Sequence, residues 1–391
     1  PGAKAPSTTC GAGRSRKSRD VAPGQAGAGQ VASVATTFGT TTHTTTYTYD
    51  GQDANGQAEH RGLVTKMVVS GVGTYLGAYD DQAALTTQIA PGGITQRLVY
   101  DDLGQLTKQS YEGKVTTEDP DTGELVEGTG EWFSWSREYD FQGRVTREWA
   151  PTVFLGGGAV EATREYTYNN AGWLTNVIDR STGECVTRAY TFDKQGNRTG
   201  LATTGADETG ECGTGTTTTK NWSYDLSSRV LTAGTGNGTY QYDDLGRVTL
   251  LPAADAPKPD LGDVTLGYFE SDAPRSITQG TRATSYTLDV SGRRLVETTA
   301  LSGVVTSTIT RHYTGSSDSP QKVVEKTPDG TTSTRYTQAL GSGLGATVND
   351  DGSVELAIDD PHGDIITTVP LPATTGDAAE TISGWGVLMS P

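Results

Sequence analysis

The chain alternates between large and small side chains in a series of short runs. TTTYTYD ending at Asp50, SWSREYD ending at Asp140, ATREYTYN ending at Asn169, TRAYTFD ending at Asp193, GTYQYD ending at Asp243 and TSYTLD ending at Asp289 all keep their aromatic residues on one face at period two. That period belongs to half-buried β-strands, because successive side chains of a strand point to opposite faces. The same punctuation closes each run: YDDLGQLT from Tyr100, YDFQGRVT from Tyr139, YNNAGWLT from Tyr168, FDKQGNRT from Phe192 and YDDLGRVT from Tyr242. Degenerate copies start at Tyr49, Tyr79, Tyr224, Tyr268 and Leu288. Their mean spacing is about 27 residues, the size of one supersecondary unit.

Each copy reads as a turn. An Asp at its first position bonds the turn backbone, and a Gly three residues later takes a positive φ that a β-carbon would penalise. Arg, Leu or Val, and Thr then open the next strand, so each repeat is a β-hairpin. A hairpin cannot bury a face alone and must lie against its neighbours. The sequence therefore predicts an all-β fold of tandem β-hairpins joined into one long antiparallel sheet. Tyr100, Asp101, Gly104, Tyr139, Asp140, Gly143, Tyr168 and Gly172 are assigned to this scaffold and not to catalysis. So are Asp193, Gly196, Tyr224, Asp225, Tyr242, Asp243, Gly246, Asp289 and Gly292. Repeat hairpins run over residues 41–300, and further hairpins with Asp329-Gly330 and Asp351-Gly352 turns over 301–370. About 25 strands are expected in a one-layer wall about 120 Å long, with edges that need covering.

Composition agrees with that wall and narrows its job. Only 33% of the 391 residues are hydrophobic, 51 are Gly and 64 are Thr, which suits strands and turns better than a thick helical core. Residues 1–40 are rich in Gly, Ala, Ser and Thr and lack the apolar surface to offset chain entropy, so they read as a tail. Within it, the RSRKSR run at residues 14–19 reads as a flexible linker or processing site. Residues 371–391 read as a loop or frayed end, and the start at Pro1 suggests a piece of a longer chain. The net charge of -17 repels phosphate backbones and argues against nucleic acid as a partner. No run reaches the roughly 18 apolar residues of a membrane helix.

These motifs resemble the YD-repeat, or Rhs-repeat, proteins of bacteria. STGECVTRAYTFDKQGNRT, GECGTGTTTTKNWSYDLSSRVLT and RHYTGSSDSPQ are similar to its actinobacterial branch, and the likeness runs over about residues 40–370. It implies a sheet strip that spirals into a hollow shell around a C-terminal toxin or other cargo. On that basis the chain is expected to be a secreted or cell-surface shell segment, not an enzyme. Its partners would be the remainder of its polypeptide, further copies of itself and the enclosed cargo. Family shells usually end in a segment with a D-P-x-G type motif near which many members cut themselves. DDPHGD at residues 359–364 holds Asp360, Pro361 and Gly363 but is read as another turn, and no self-cleavage residue is carried over.

Other chemistry is sparse. Cys185 and Cys212 share a TGEC context one repeat apart, which places them on neighbouring hairpins and predicts a disulfide over free thiols. Cys10 is left over. His43, His60, His312 and His362 have no metal-ligand spacing, and no cofactor motif is present, GSGLG at 341–345 being a turn. The acidic stretches at 118–124 and 349–352 read as solvated turns rather than calcium loops. Trp132, Trp135 and Trp173 either fill the packed face or stack on sugars, which keeps a carbohydrate-binding adhesin as the alternative function.

Overall fold

In the computed structural model, which describes residues 8–9, 14–22, 25, 27–118, 124–155, 158–180, 185–236, 238–341 and 343–371, strand follows strand. The described residues form a sixteen-stranded sheet from β1 (Thr8–Thr9) to β16 (Thr217–Asn221), a pair β17 (Ser223–Tyr224) and β18 (Val230–Thr232), and a twelve-stranded sheet from β19 (Gln241–Tyr242) to β30 (Ile365–Leu371). Order in space is order in sequence throughout, with antiparallel neighbours. Three short 3-10 turns interrupt them, and the described residues include no α-helix.

The two breaks between sheets are stitched. Past β16 the chain continues beside β15 (Arg198–Thr204), Trp222 N donating to Thr199 O at 2.9 Å, and a bridge joins Thr232 to Thr239. Asp255 gathers both sides of the break, accepting from Trp222 Nε1 at 3.0 Å, Tyr240 OH at 2.8 Å and Gly234 N at 3.1 Å. The result is one strip.

Because each strand reverses the last, successive connections alternate between the strip's two edges. Every YD-type turn falls on one of them, from 80–84 and 101–105 through 225–229 to 289–293 and 360–364. The opposite edge carries connections that range from residues 302–303 to 205–216.

Two findings depart from the sequence reading. Residues 14–19 belong to β2 (Arg14–Asp20), which pairs with β3 (Val31–Phe38) from Arg14↔Phe38 to Arg19↔Ser33, so this part of the tail is sheet rather than flexible linker. Main-chain bonds to a preformed edge order it; β3 buries no residue fully. Secondly, the wall is not one layer everywhere. The right-handed twist that accumulates along a long sheet brings its last strands over its early ones. Met67 and Val69 on β5 (Ala58–Val69), Tyr75 on β6 (Gly73–Tyr79), Tyr111 on β9 (Leu106–Glu118) and Trp135 on β10 (Leu125–Tyr139) share a core with Ala346 on β28 (Leu344–Asn349), Leu356 and Ile358 on β29 (Val354–Asp359), and Val369 on β30. Ile358 is fully buried there, worth about 1.5–3 kcal/mol for a side chain of its size.

Candidate functional site: a turn lattice and a terminal clasp

The turn repeats one geometry. Asp140 Oδ1 accepts from Gln142 N at 2.9 Å and Arg144 N at 3.0 Å, while Gly143 N closes back on Asp140 O at 3.0 Å. Gly143 has φ 79°, where an L side chain is strained. Asp101, Asp193, Asp225, Asp243 and Asp289 make the same pair of bonds, two and four residues on, and Asn169 does so in the Tyr168 copy. Gly104, Gly172, Gly196, Gly246 and Gly292 hold the positive-φ position, which Ala83 and Ser228 fill at 66° and 61° in the degenerate copies. Asp360 builds this turn too, through His362 N and Asp364 N. Burial works against the charge on Asp140, yet its bonds from the Arg144 side chain and backbone hold its carboxyl below the usual range.

Two further contacts tie many of the turns to the next and were not legible in the motif. The repeat tyrosines do more than close their strands. Tyr100, Tyr139, Tyr168, Tyr224 and Tyr242 each donate a hydroxyl to the carbonyl of the first strand residue beyond the preceding turn, namely Leu85, Leu106, Val145, Arg198 and Val230. Arg144, Arg229, Arg247 and Arg293 pair through Nε with their own turn's Asp, then lie over the ring of the next tyrosine, Tyr168, Tyr242, Tyr268 and Tyr313, at 4.5, 5.1, 4.9 and 4.3 Å. A cation over an aromatic face is worth about 0.5–1 kcal/mol at such sites. The signal was the tyrosine itself: Phe192 and Leu288 occupy its position in two copies, where no hydroxyl exists to donate.

Cys185 and Cys212 lie in consecutive connections of the opposite edge and are disulfide-bonded, with Cα atoms 5.3 Å apart. Cys10 is outside the described residues, as are 119–123 and 372–391.

Where the last strands fold over the first, polar groups form a clasp. Asp359 accepts from Gln109 Nε2, at 2.8 Å on its backbone oxygen and 3.0 Å on Oδ1, and from the Tyr111 hydroxyl on Oδ1. Burial raises the Asp359 carboxyl above its ordinary value, and burial with the neighbouring Asp359 charge raises Tyr111. Beside it, Arg137 Nη1 donates to Pro361 O at 3.0 Å and Arg137 Nε to the buried Glu148 at 2.7 Å, with His362 Nε2 3.1 Å from the same carboxylate. Arg335 Nη2 reaches Ser70 O at 2.9 Å. A cleft of about 410 Å³ opens next to Asp359, between the β7 (Leu85–Ile89) to β9 strands and β28–β29.

Each of the three candidate tryptophans has a ring or hydrogen-bond partner. Trp135 is buried against Phe133 and Tyr111, so it offers no face to a sugar. Trp173 packs on Phe192 at 5.3 Å, and Trp132 donates Nε1 to Lys114 O at 3.0 Å. Among the described residues no three His, Cys, Asp or Glu side chains converge as a metal site, and no helix is long and apolar enough to cross a membrane.

No family model and no curated protein matches the chain. Solved structures do, at low identity. A TcdB2-TccC3-Cdc42 crystal structure matches at 14% identity and TM-score 0.48, over 92% of this chain and 21% of that one. TcdB2-TccC3-TEV matches at 14% and 0.49, over 92% and 22%, and the Photorhabdus luminescens Tc holotoxin pore with a TccC3 variant at 14% and 0.42, over the same shares. The chain thus spans about a fifth of the length of the solved chains it resembles.

Proposed function

We propose that this chain is a wall segment of a secreted shell that encloses a protein cargo such as a toxin, and that it acts by exclusion rather than catalysis. One observation carries the reading: the strip bends round until strands about 250 positions apart share a core and a clasp. A sheet built that way separates an inside from an outside, and its edges are completed by the remainder of its polypeptide or by further copies. The Cys185–Cys212 bond suits an oxidising, extracellular compartment. The acidic surface, at net charge -17, keeps such a wall soluble and off nucleic acid. Electron microscopy of the purified chain tests this. A curved or hollow strip is expected, and compact separate domains would end the proposal.

A further inference from the structure

Away from the clasp, the seam between late and early strands gathers positive charge. Across β25 (Val304–His312), β26 (Lys322–Thr327) and β27 (Gly330–Gln338) the register sets His312 beside Lys322 and Lys322 beside Arg335, so the three side chains stand in one row on one face. Glu325 falls on the other face of β26, where the Ser307 hydroxyl donates to it at 2.7 Å. Arg335 crosses to the early strands: its Nη2 donates to Ser70 O, and Ser70 is in turn bonded to Thr44 of β4 (Thr41–Gln52), its N donating to Thr44 O and its Oγ accepting from Thr44 N. That sets the guanidinium beside His43. The Phe38 ring lies 6.3 Å from the His43 ring and 6.0 Å from that of His312.

Arg335 is 8% exposed, and its Nε has no hydrogen-bond partner. Among the described residues neither Arg335 nor Lys322 has a carboxylate partner, and burial alone acts on the guanidinium, pulling its pKa below the ordinary value. A buried charge without a counter-ion is costly. With 47 acidic residues in the chain against 30 basic ones, carboxylates are not scarce, yet none stands here. His43 senses both cations: burial lowers its pKa first, and the charges of Arg335 and Lys322 lower it further. A neutral imidazole still donates one N–H. A β-carbon on the exposed Gly71 would stand 3.4 Å from Arg335 Nη2, so the glycine leaves that edge of the guanidinium uncovered. Guanidinium and ammonium groups donate and never accept, which selects an anion with several oxygens. The net charge of -17 repels extended polyanions, whereas a single small ion can enter. We infer that this seam binds a free, multiply charged oxyanion of the phosphate or sulfate kind between His43, Lys322 and Arg335. Bound there, the ion ties β4 to β26 and β27. The site stands independently of the wall reading.

Titration calorimetry on the full chain tests it, with sodium phosphate and sodium sulfate as probes, dextran sulfate as the polymeric form of the same chemistry, and ionic strength held constant with sodium chloride. Phosphate or sulfate is expected to saturate in roughly the millimolar range and to raise the melting temperature of the wild type. Lys322→Gln, at a half-buried position, should weaken that binding about ten-fold by removing one charged donor. Arg335→Met should abolish it while leaving the melting temperature without the ion unchanged or higher, because it deletes an unpaired buried charge. Three results overturn the inference: no saturation by either ion at about 50 mM, equal affinity in the wild type and Lys322→Gln, or tighter binding of dextran sulfate per sulfate group than of sulfate itself.

Discussion

Along one edge of the strip most connections repeat one Asp or Asn turn, whereas along the other they run from residues 302–303 to 205–216, a stretch that includes a lone turn of that kind at Asp207 and one half of a disulfide. The first edge fixes register. Turns that carry the Tyr or the Arg aim it at a neighbouring hairpin, so an inserted residue would displace the hydroxyl that must reach a fixed carbonyl. The second edge has no such lattice and is free to vary in length. Its strands lengthen toward that side, as in the 13- and 15-residue β9 and β10. What the uniform edge achieves by repetition, the variable edge achieves at one place with a covalent bond.

Acid should separate the Asp turns from the clasp most strongly. Asp193, Asp225 and Asp243 have carboxyls held below their usual range, Asp193 chiefly by the Asn197 side chain and the other two chiefly by the backbone N–H groups of Arg229 and Arg247. A depressed folded value means the stabilisation is complete above the unfolded value of about 3.9 and is lost as pH falls below it. Asp359 has the opposite sign, since its raised value favours the folded state as protons are added. Hydrogen exchange should therefore show turn-edge amides losing protection below about pH 4, before those of β9 and β29. Equal loss at both places would mean the carboxylates do not hold the turns.

Removing the disulfide attacks the other edge. The Cys185→Ser/Cys212→Ser pair should cost about 3 kcal/mol for a loop of this length, read as lost exchange protection in β13 (Leu174–Asp179) to β16, with the 225–229 and 243–247 turns unchanged. Gly143→Val should cost about 1–2 kcal/mol in urea unfolding, since its β-carbon takes a positive φ and meets Gln105 Nε2 at 2.8 Å. A cost near zero would refute the turn geometry. The smallest effect runs the other way. Ala83→Gly and Ser228→Gly should each gain about 0.5 kcal/mol, because they relieve the same strain in the two imperfect copies.

The turn was legible because its chemistry lies within five residues: Asp, the N–H groups it accepts and the Gly that closes it. The tyrosine bond was not, since its acceptor is a main-chain carbonyl in another repeat and any strand residue can supply one. The arginines could be read only as strand openers, because stacking depends on how hairpins sit side by side. Strand β2 escaped notice for a related reason, as a sheet edge orders a polar segment through its backbone without asking for apolar side chains. The clasp depends on curvature. Nothing local to Gln109 or Asp359 marks them as partners, and DDPHGD reads correctly as a turn while its neighbouring carboxylate docks on a distant strand.

Strict sequence order in space also sets a schedule. Each hairpin needs only its predecessor to pair with, so a chain made from its N-terminus can lay down strands as they appear, with the low contact order that speeds folding. The bond from Gln109 to Asp359 spans 250 positions and waits for the last hairpins. Until those hairpins form the polypeptide is an open ribbon, and its bend closes only once residue 359 has been made.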